Sequence, residues 1–199
     1  FRDKLAMRMR AQEMEIPVPE YIHVLNHNDI NEFAEKVPFP YMIKPRMLAG
    51  AHGLKKVHSK EEMWSRINNL GDEQSFFLME RFIPGNIYHV DSIIYEHEVR
   101  FAIASQYGKP PFEVAHEGRV FTSRTIERGN KKEQQLLEMN EKLMKALGML
   151  RGVSHTEFIE SDKDGKLYFL ETSARVGGAN LSELVFAASG INLWREWAK

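Results

Sequence analysis

The stretch Gly165-Lys166-Leu167-Tyr168-Phe169-Leu170-Glu171-Thr172-Ser173-Ala174-Arg175-Val176-Gly177-Gly178 decides how this chain is read. It has the pattern of a β-strand that carries an acid, a small hydroxyl and an arginine at alternate positions and then enters a Gly-Gly turn. Side chains alternate faces along a strand. Glu171, Ser173 and Arg175 therefore share one face, with Leu167 and Phe169 behind them. A carboxylate and a guanidinium on one strand face point to a site for a metal and an anion together.

The preceding strand, Val153 to Glu160, reaches this one through Ser161-Asp162-Lys163-Asp164-Gly165-Lys166. A two-residue Asp164-Gly165 turn would set Glu157 opposite Thr172, with Glu157 and Glu171 on opposite faces. A three-residue Lys163-Asp164-Gly165 loop with Gly165 left-handed would set Glu157 opposite Glu171. Either loop suits the sequence. The second places two carboxylates side by side, which is unfavourable without a cation and offers the oxygen ligands that Mg²⁺ takes. Taken alone, the two glutamates read more readily as solvated strand residues.

Composition bounds the rest. The 199 residues allow one large domain or two lobes with real cores. The chain is 43% hydrophobic and 28% charged, ordinary for a globular protein. A formal net charge of −1 argues against a dedicated nucleic-acid binder. With no cysteine, neither a disulfide framework nor a thiolate metal site is possible. No apolar run approaches the roughly 20 residues that span a bilayer. The expected location is the cytoplasm, with no membrane partner. The opening Phe1-Arg2-Asp3-Lys4 is no signal peptide and has no initiating methionine, so the chain reads as a piece of a longer protein.

Period and punctuation organise the chain. Asp3 caps a helix over about residues 4–14, stopped by Pro17 and Pro19. A short helix covers Ile30 to Val37. Tyr41 to Lys44 is a strand cut by Pro45. The small-residue loop Leu48-Ala49-Gly50-Ala51-His52-Gly53 follows, then a short strand to His58. Ser59 starts a helix with Glu62 at the capping-box position. Phe76 to Met79 is a buried strand, and Pro84-Gly85 a turn that divides two lobes. Strands Ile87 to Tyr95 and Val99 to Ser105 form a hairpin around Glu96-His97-Glu98. A weaker strand covers Arg119 to Ile126. Lys131 to Leu150 is the longest helix, with Leu136, Leu143, Leu147 and Leu150 on one stripe. Helices over Leu181 to Ala188 and from Leu193 onward close the chain. Antiparallel hairpins mixed with helices indicate α+β.

Anion partners precede the opening stretch. Lys44 ends a strand just before the small-residue loop, whose backbone N–H groups can approach phosphates. No Gly-Lys-Ser/Thr follows, so it is no Walker A loop. Lys4, Arg100, Arg119, Arg124 and Arg175 are further cations. Arg124 suits a substrate carboxylate or a surface salt bridge. His116 reads as a phosphate or substrate contact, or as an exposed loop histidine. Trp194 and Trp197 pack, or cover a surface met by other chain.

The ordered series resembles the ATP-grasp family. It comprises Lys4, Ile16-Pro17-Val18-Pro19, Lys44-Pro45-Arg46, the small-residue loop, Met79-Glu80-Arg81-Phe82-Ile83-Pro84-Gly85, His155-Thr156-Glu157-Phe158 and Leu170 to Gly178. The resemblance implies an ATP-grasp fold in which two α+β lobes with mainly antiparallel sheets enclose a nucleotide cleft. The lobes would be residues 1–83 and 84–199. It implies that Lys4 and Lys44 contact ATP phosphates, and that Gly50, Ala51, His52, Gly53 and Leu54 belong to the loop folded over them. Glu80, Arg81, Phe82 and Ile83 would form the adenine linker. Glu157, Glu171 and Ser173 would be the ligands of Mg²⁺, with Mn²⁺ as a substitute. Arg175, with Lys44, would serve catalysis by steadying an acyl phosphate.

Two positions depart from the family pattern. Ile87 stands where relatives place a ribose-binding glutamate, and His89 and Asp91 on the same strand face are the expected substitutes. Ser173 stands where relatives place an asparagine metal ligand. The expected function is ATP- and Mg²⁺-dependent ligation of a small-molecule carboxylate to an amine or other nucleophile. The alternative is a nucleotide-binding module with weak or no catalysis.

Overall fold

The computed structural model describes residues 1–49, 52–118 and 120–199, apart from the side chains of Ala115 and His116. Helix α1 (Lys4–Glu13) begins where Asp3 accepts hydrogen bonds from the N–H groups of Leu5 and Ala6. These satisfy donors that a helix start leaves free.

The smaller sheet has the order β1 (Tyr21–His23), β4 (Phe77–Arg81), β2 (Tyr41–Pro45), β3 (Lys55–Val57), with every pairing antiparallel. Helices α2 (His27–Lys36) and α3 (Lys60–Asn68) cover one face. Ile30 and Phe33, then Met63 and Ile67, recur at helical spacing and meet Tyr41, Ile43 and Met79. Alternation along β2 and β4 leaves Met42, Lys44 and Glu80 on the other face. The Ser59 cap forms as expected, accepting from the Glu62 N–H at 3.2 Å. The Glu62 carboxylate reaches one residue further back, to the N–H of His58 at 2.8 Å.

The larger sheet runs β7 (Ser123–Thr125), β6 (Glu98–Tyr107), β5 (Gly85–Tyr95), β8 (Arg151–Ser161), β9 (Leu167–Ser173), again antiparallel throughout. One face packs Tyr88, Val90, Phe158 and Phe169 against Leu136 and Leu143 of α5 (Lys131–Ala146). At one end of the sheet, Ile103 and Val153 meet Val185 of α6 (Leu181–Ser189) and Leu193 of α7 (Leu193–Trp197).

Several expectations are corrected. Strand β1 and helix α4 (Pro111–Glu117) are absent from the sequence reading, because three residues are too few for alternation and a Pro-Pro start reads as loop. The weak strand over 119–126 shrinks to β7. Helix α5 stops at Ala146, where Gly148 turns left-handed at φ +69°, and this leaves Leu150 exposed beyond its stripe. Pro84-Gly85 makes no turn, since Gly85 opens β5 and pairs with Ser161. A division after residue 83 would also give α1 to the smaller lobe. Met7, Ala11 and Ile16 are instead buried in the larger lobe's core beside Phe158 and Phe169.

Gly85 marks a close approach of backbones. A Cβ there would lie 1.9 Å from the Glu160 carbonyl oxygen, and a backbone carbonyl cannot swing aside. We expect Gly85→Ala to cost on the order of 3 kcal/mol in urea unfolding. A variant within experimental error of wild type would show that this end of β5 is loosely held.

Candidate functional site

A cavity of about 830 Å³ lies between the two sheets. Lys44 and Glu80 line it from the smaller lobe, Glu157 and Glu171 from the larger, and Lys4 and Arg175 from α1 and the loop after β9.

The two carboxylates meet by a route different from the expected hairpin. The loop is not three residues but four, Asp162 to Gly165. The Ser161 N–H donates to the Lys166 carbonyl at 3.0 Å, and the Gly165 N–H to the Ser161 carbonyl at 2.9 Å. That loop sets Phe158 opposite Phe169, and one further step of regular pairing would set Glu157 opposite Leu170. A bulge intervenes, and Glu157 pairs with Glu171. An extra residue reverses the parity of a strand. Leu167 and Phe169 are therefore not on the face of Glu171, as alternation alone implies. They enter the core under α1 and α5, while Leu170 and Glu171 both line the cavity.

Each carboxylate has its own partner. Glu171 Oε2 pairs with Lys4 Nζ at 3.0 Å, and Lys4 also donates to the Leu48 carbonyl. Glu157 Oε1 accepts from the Tyr107 hydroxyl at 2.8 Å, with His155 Nε2 at 3.6 Å. Burial works to raise the Glu157 carboxyl, but contacts with His155 and Tyr107 outweigh it and hold it below the ordinary carboxylate range. Behind His155 lies Asp91, fully buried, with Oδ1 2.9 Å from His155 Nδ1 and Oδ2 2.8 Å from His89 Nδ1. Burial opposes charge on this pair, yet mutual attraction wins. Asp91 is held well below the ordinary range and His155 is pushed up to about 10. His155 is thus an imidazolium at neutral pH, and Tyr107, raised by burial and by Glu157, stays a neutral donor.

This pair sets a pH window for stability. The Asp91 contribution is present above its unfolded value of 3.8 and lost as pH falls below it. The His155 contribution is complete below 6.5 and lost as pH rises through about 10. The alkaline fall in stability from about pH 8 to 11 should be steeper for wild type than for His155→Gln. Equal slopes would rule out a charged His155.

At the smaller lobe one buried acid, Glu80, is flanked by two cations, Lys44 of the same sheet and Arg8 of α1. Glu80 Oε1 pairs with Lys44 Nζ, and Oε2 accepts from Arg8 Nε at 3.1 Å and Nη2 at 3.0 Å. Arg8 is fully buried, with its guanidinium carbon 5.3 Å from the Phe169 ring centroid. Burial raises the Glu80 carboxyl, but Arg8 and Lys44 overcome this and hold it low. Burial pulls the Lys44 ammonium down, partly offset by Glu80. Sequence reading misses Arg8 because nothing local distinguishes it from the surface Arg10, two residues on.

Residues 9–179 match the family model of the ATP-grasp domain. The chain belongs to the ATP-grasp family. Its α+β architecture of two antiparallel sheets with helices is the ATP-grasp fold. The crystal structure of an L-amino acid ligase from Bacillus licheniformis superposes with a TM-score of 0.78 at 22% identity, over 99% of this chain and 46% of that one. An Aspergillus clavatus N5-carboxyaminoimidazole synthase in complex with ADP and its ribonucleotide superposes at 0.77 with 15% identity, over 99% of this chain and 50% of that one. In sequence, an L-arginine-specific L-amino acid ligase of Bacillus subtilis is 25% identical over 96% of this chain and 47% of its own length. A D-alanine–D-alanine ligase of Neisseria gonorrhoeae is 24% identical over 95% of this chain and 63% of its own length. The chain thus spans between about half and under two thirds of these curated relatives.

The residues that the family resemblance singles out gather unevenly at the cavity. Lys4, Lys44, Leu54, Glu80, Arg81, Phe82, Ile83, Glu157, Glu171 and Arg175 all line it. Within the linker, the Arg81 side chain pairs with Glu20 at 2.6 Å. The N–H groups of Arg81 and Phe82 donate to Glu20 and Pro40 carbonyls at 2.8 and 2.9 Å. Lys56 Nζ sits 3.7 Å from the Phe82 ring centroid. His52 is exposed and its ring contacts the Ala49 carbonyl at 3.1 Å. Gly53 is left-handed at φ +73° and packs toward Pro45. Gly50, Ala51, Arg119 and the His116 side chain lie outside the described residues. Arg124 donates to Gln106 at 3.1 Å. Arg100 pairs on the surface with Glu98.

Four of the expected site residues that are described do not line the cavity: His52 and Gly53 in the small-residue loop, and His89 and Ser173. His89 is fully buried, with both ring nitrogens engaged by Asp91 and Ser123, so it cannot replace a ribose-binding acid. Ile87 itself lines the cavity, beside Asn86. Ser173, the last residue of β9, pairs in register with His155 and stands outside the cavity lining. Tyr107 and His155 are the polar residues that sequence reading left without a role at this site, and Asp91, expected beside the ribose, is instead fully buried against His155. A signal was present: His89 and Asp91, like His155 and Glu157, sit two apart on a strand.

Among the described residues, no helix is long and apolar enough to cross a membrane.

Proposed function

We propose that this chain forms the nucleotide- and metal-binding part of a ligase that joins a small-molecule carboxylate to an amine at the expense of ATP. The observation that carries the reading is the opposition of Glu157 and Glu171 across β8 and β9, ringed by Lys4, Lys44 and Arg175 on one cavity. Two facing carboxylates repel each other and call for a cation. Their hard oxygens suit Mg²⁺, or Mn²⁺ in its place, which supplies charge neutralisation to the phosphates. The names of the amino-acid ligases among the relatives support an amino acid as the carboxylate.

In this reading the substrate carboxylate attacks the γ-phosphorus, the bond to the bridging oxygen breaks and ADP leaves. The amine then attacks the acyl carbon, inorganic phosphate leaves, and the nitrogen's proton passes to solvent. Lys44 and Lys4 place positive charge beside the phosphates, and Arg175 balances charge on the transferred group. Lys4 trades its pair with Glu171 for the phosphates. Phe82 and Ile83 offer an apolar edge for the adenine. The proposed lobes meet near Pro84, with α1 counted in the larger. A cytoplasmic location belongs to the same proposal.

Ile87 at the ribose position and Ser173 outside the cavity favour a second reading, a module that holds nucleotide without turnover. Incubation with ATP, Mg²⁺ and an amino-acid panel separates the two. Release of ADP and phosphate that depends on the amino acid supports the ligase. Nucleotide binding by calorimetry with no such release supports the module.

A further inference from the structure

Beneath Glu157 the cavity face of the larger sheet carries a chain of polar side chains, of which Tyr107 and His155 line the cavity and the rest lie behind them. His89 lies opposite Glu157 and Asp91 opposite His155, so all four share that face. The chain runs from Ser123 Oγ to His89 Nε2 at 2.8 Å, from His89 Nδ1 to Asp91 at 2.8 Å, and from Asp91 to His155 Nδ1 at 2.9 Å. It continues from His155 Nε2 to the Tyr107 hydroxyl at 3.1 Å and ends where that hydroxyl donates to Glu157 Oε1 at 2.8 Å. Four strands contribute to it: β7, β5, β8 and β6.

A buried polar chain is costly unless its groups are paired. Here both oxygens of Asp91 and both nitrogens of each histidine are engaged, so no member can rotate without leaving another unpaired. The rigidity ends at one oxygen of Glu157. Oε1 is held by Tyr107, and Oε2 makes no hydrogen bond among the described residues. A second feature places the same cluster under the loop that carries Arg175. A Cβ at Gly177 would lie 3.0 Å from both Asp91 Oδ1 and His155 Nδ1, the two atoms that bond each other. The Gly-Gly turn can therefore rest directly on this pair.

We propose that Tyr107, His155 and Asp91 are positioning residues that fix the Glu157 carboxylate so that Oε2 is presented to the metal. The inference rests on Glu157 being a metal ligand, as proposed above. A ligand held in one orientation loses less freedom on coordination, and outer partners of metal ligands are typically worth about 10–100-fold in metal affinity.

The test is Mn²⁺ binding to the full chain with a non-hydrolysable ATP analogue, followed by electron paramagnetic resonance. Analogue affinity in EDTA and thermal unfolding are measured in parallel. The variants are Glu157→Gln, Tyr107→Phe and His155→Asn, the last keeping a donor toward Asp91 but too short to reach Tyr107. Tyr107→Phe and His155→Asn should each weaken Mn²⁺ binding roughly 10–100-fold, with analogue affinity in EDTA within about twofold of wild type. Glu157→Gln should weaken it at least as much. Unchanged Mn²⁺ affinity in Tyr107→Phe, while Glu157→Gln loses it, overturns the positioning role and leaves the metal site standing. Parallel loss of Mn²⁺ binding, analogue binding and thermal stability makes the chain merely structural and also overturns it. No effect of Glu157→Gln, or no Mn²⁺ binding by wild type, removes both this inference and the metal reading beneath it.

Discussion

Replacing Glu80 with glutamine should lower the stability of this chain by about 3–5 kcal/mol, more than any other single change considered. The reason is the number of charges that one carboxylate balances. Arg8 and Lys44 are both buried, and Glu80 accepts from both. Glutamine keeps the shape but leaves two buried cations without a counter-charge, and breaking a buried pair from one side is the costly case. One Arg8 nitrogen, Nη1, already has no hydrogen-bond partner among the described residues. For a chain of this length the loss corresponds to a Tm lower by roughly 6–20 °C. The pH dependence has a definite sign. The folded Glu80 carboxyl is held below its ordinary 4.5, so its contribution is present above that value and lost as pH falls through the folded one. Wild type should therefore lose its advantage over the variant in acid. Urea titrations of both proteins at neutral and acid pH measure this. A difference under about 1 kcal/mol at neutral pH would mean that the network is solvated and weak.

Glu171→Gln and Glu157→Gln should each reduce amino-acid-dependent ADP release by about a thousandfold. Each change removes one of the two facing carboxylates that would hold the proposed cation. The fold should survive, because neither side chain belongs to an apolar core and glutamine fills the same volume. Lys4 distinguishes the two variants. It pairs with Glu171 and not with Glu157, so only Glu171→Gln releases it toward the phosphates. Nucleotide affinity in EDTA should accordingly hold or tighten in Glu171→Gln and stay level in Glu157→Gln. Turnover within tenfold of wild type in either variant would remove that glutamate from the chemistry.

The site was legible in the sequence where a motif is local. Alternation placed Glu171 and Arg175 in one functional stretch, and both line the cavity. The Asp3 and Ser59 caps started their helices where hydroxyl or carboxylate side chains could meet free N–H groups. Lys44 reached the cavity because a strand ending in Pro45 presents alternate residues to each face. Local periodicity misled at Leu170, where one bulged residue reverses parity and no composition announces it. It misled again at His89, whose polar ring suggested a ligand contact. Burial is a property of what packs over a residue, and Asp91, Ser123 and the neighbouring rings of Tyr107 and His155 enclose it.

The sequence by itself determined most of the elements, though not β1 or α4, together with the order of the residues that carry the family resemblance and the strand that holds the opening motif. Those depend on backbone preferences and on spacings of a few residues, which are written along the chain. Tertiary structure alone decided the partners. Arg8 finds Glu80 across 72 positions, Asp91 finds His155 across 64, and Lys4 on α1 closes on Glu171 near the far end of the chain. Such pairs follow from strand register and helix docking, which many residues set together when they bury apolar surface. The stretch from Gly165 to Gly178 names an acid and a cation. Only the folded sheet supplies Glu157 opposite that acid and Tyr107 to hold it.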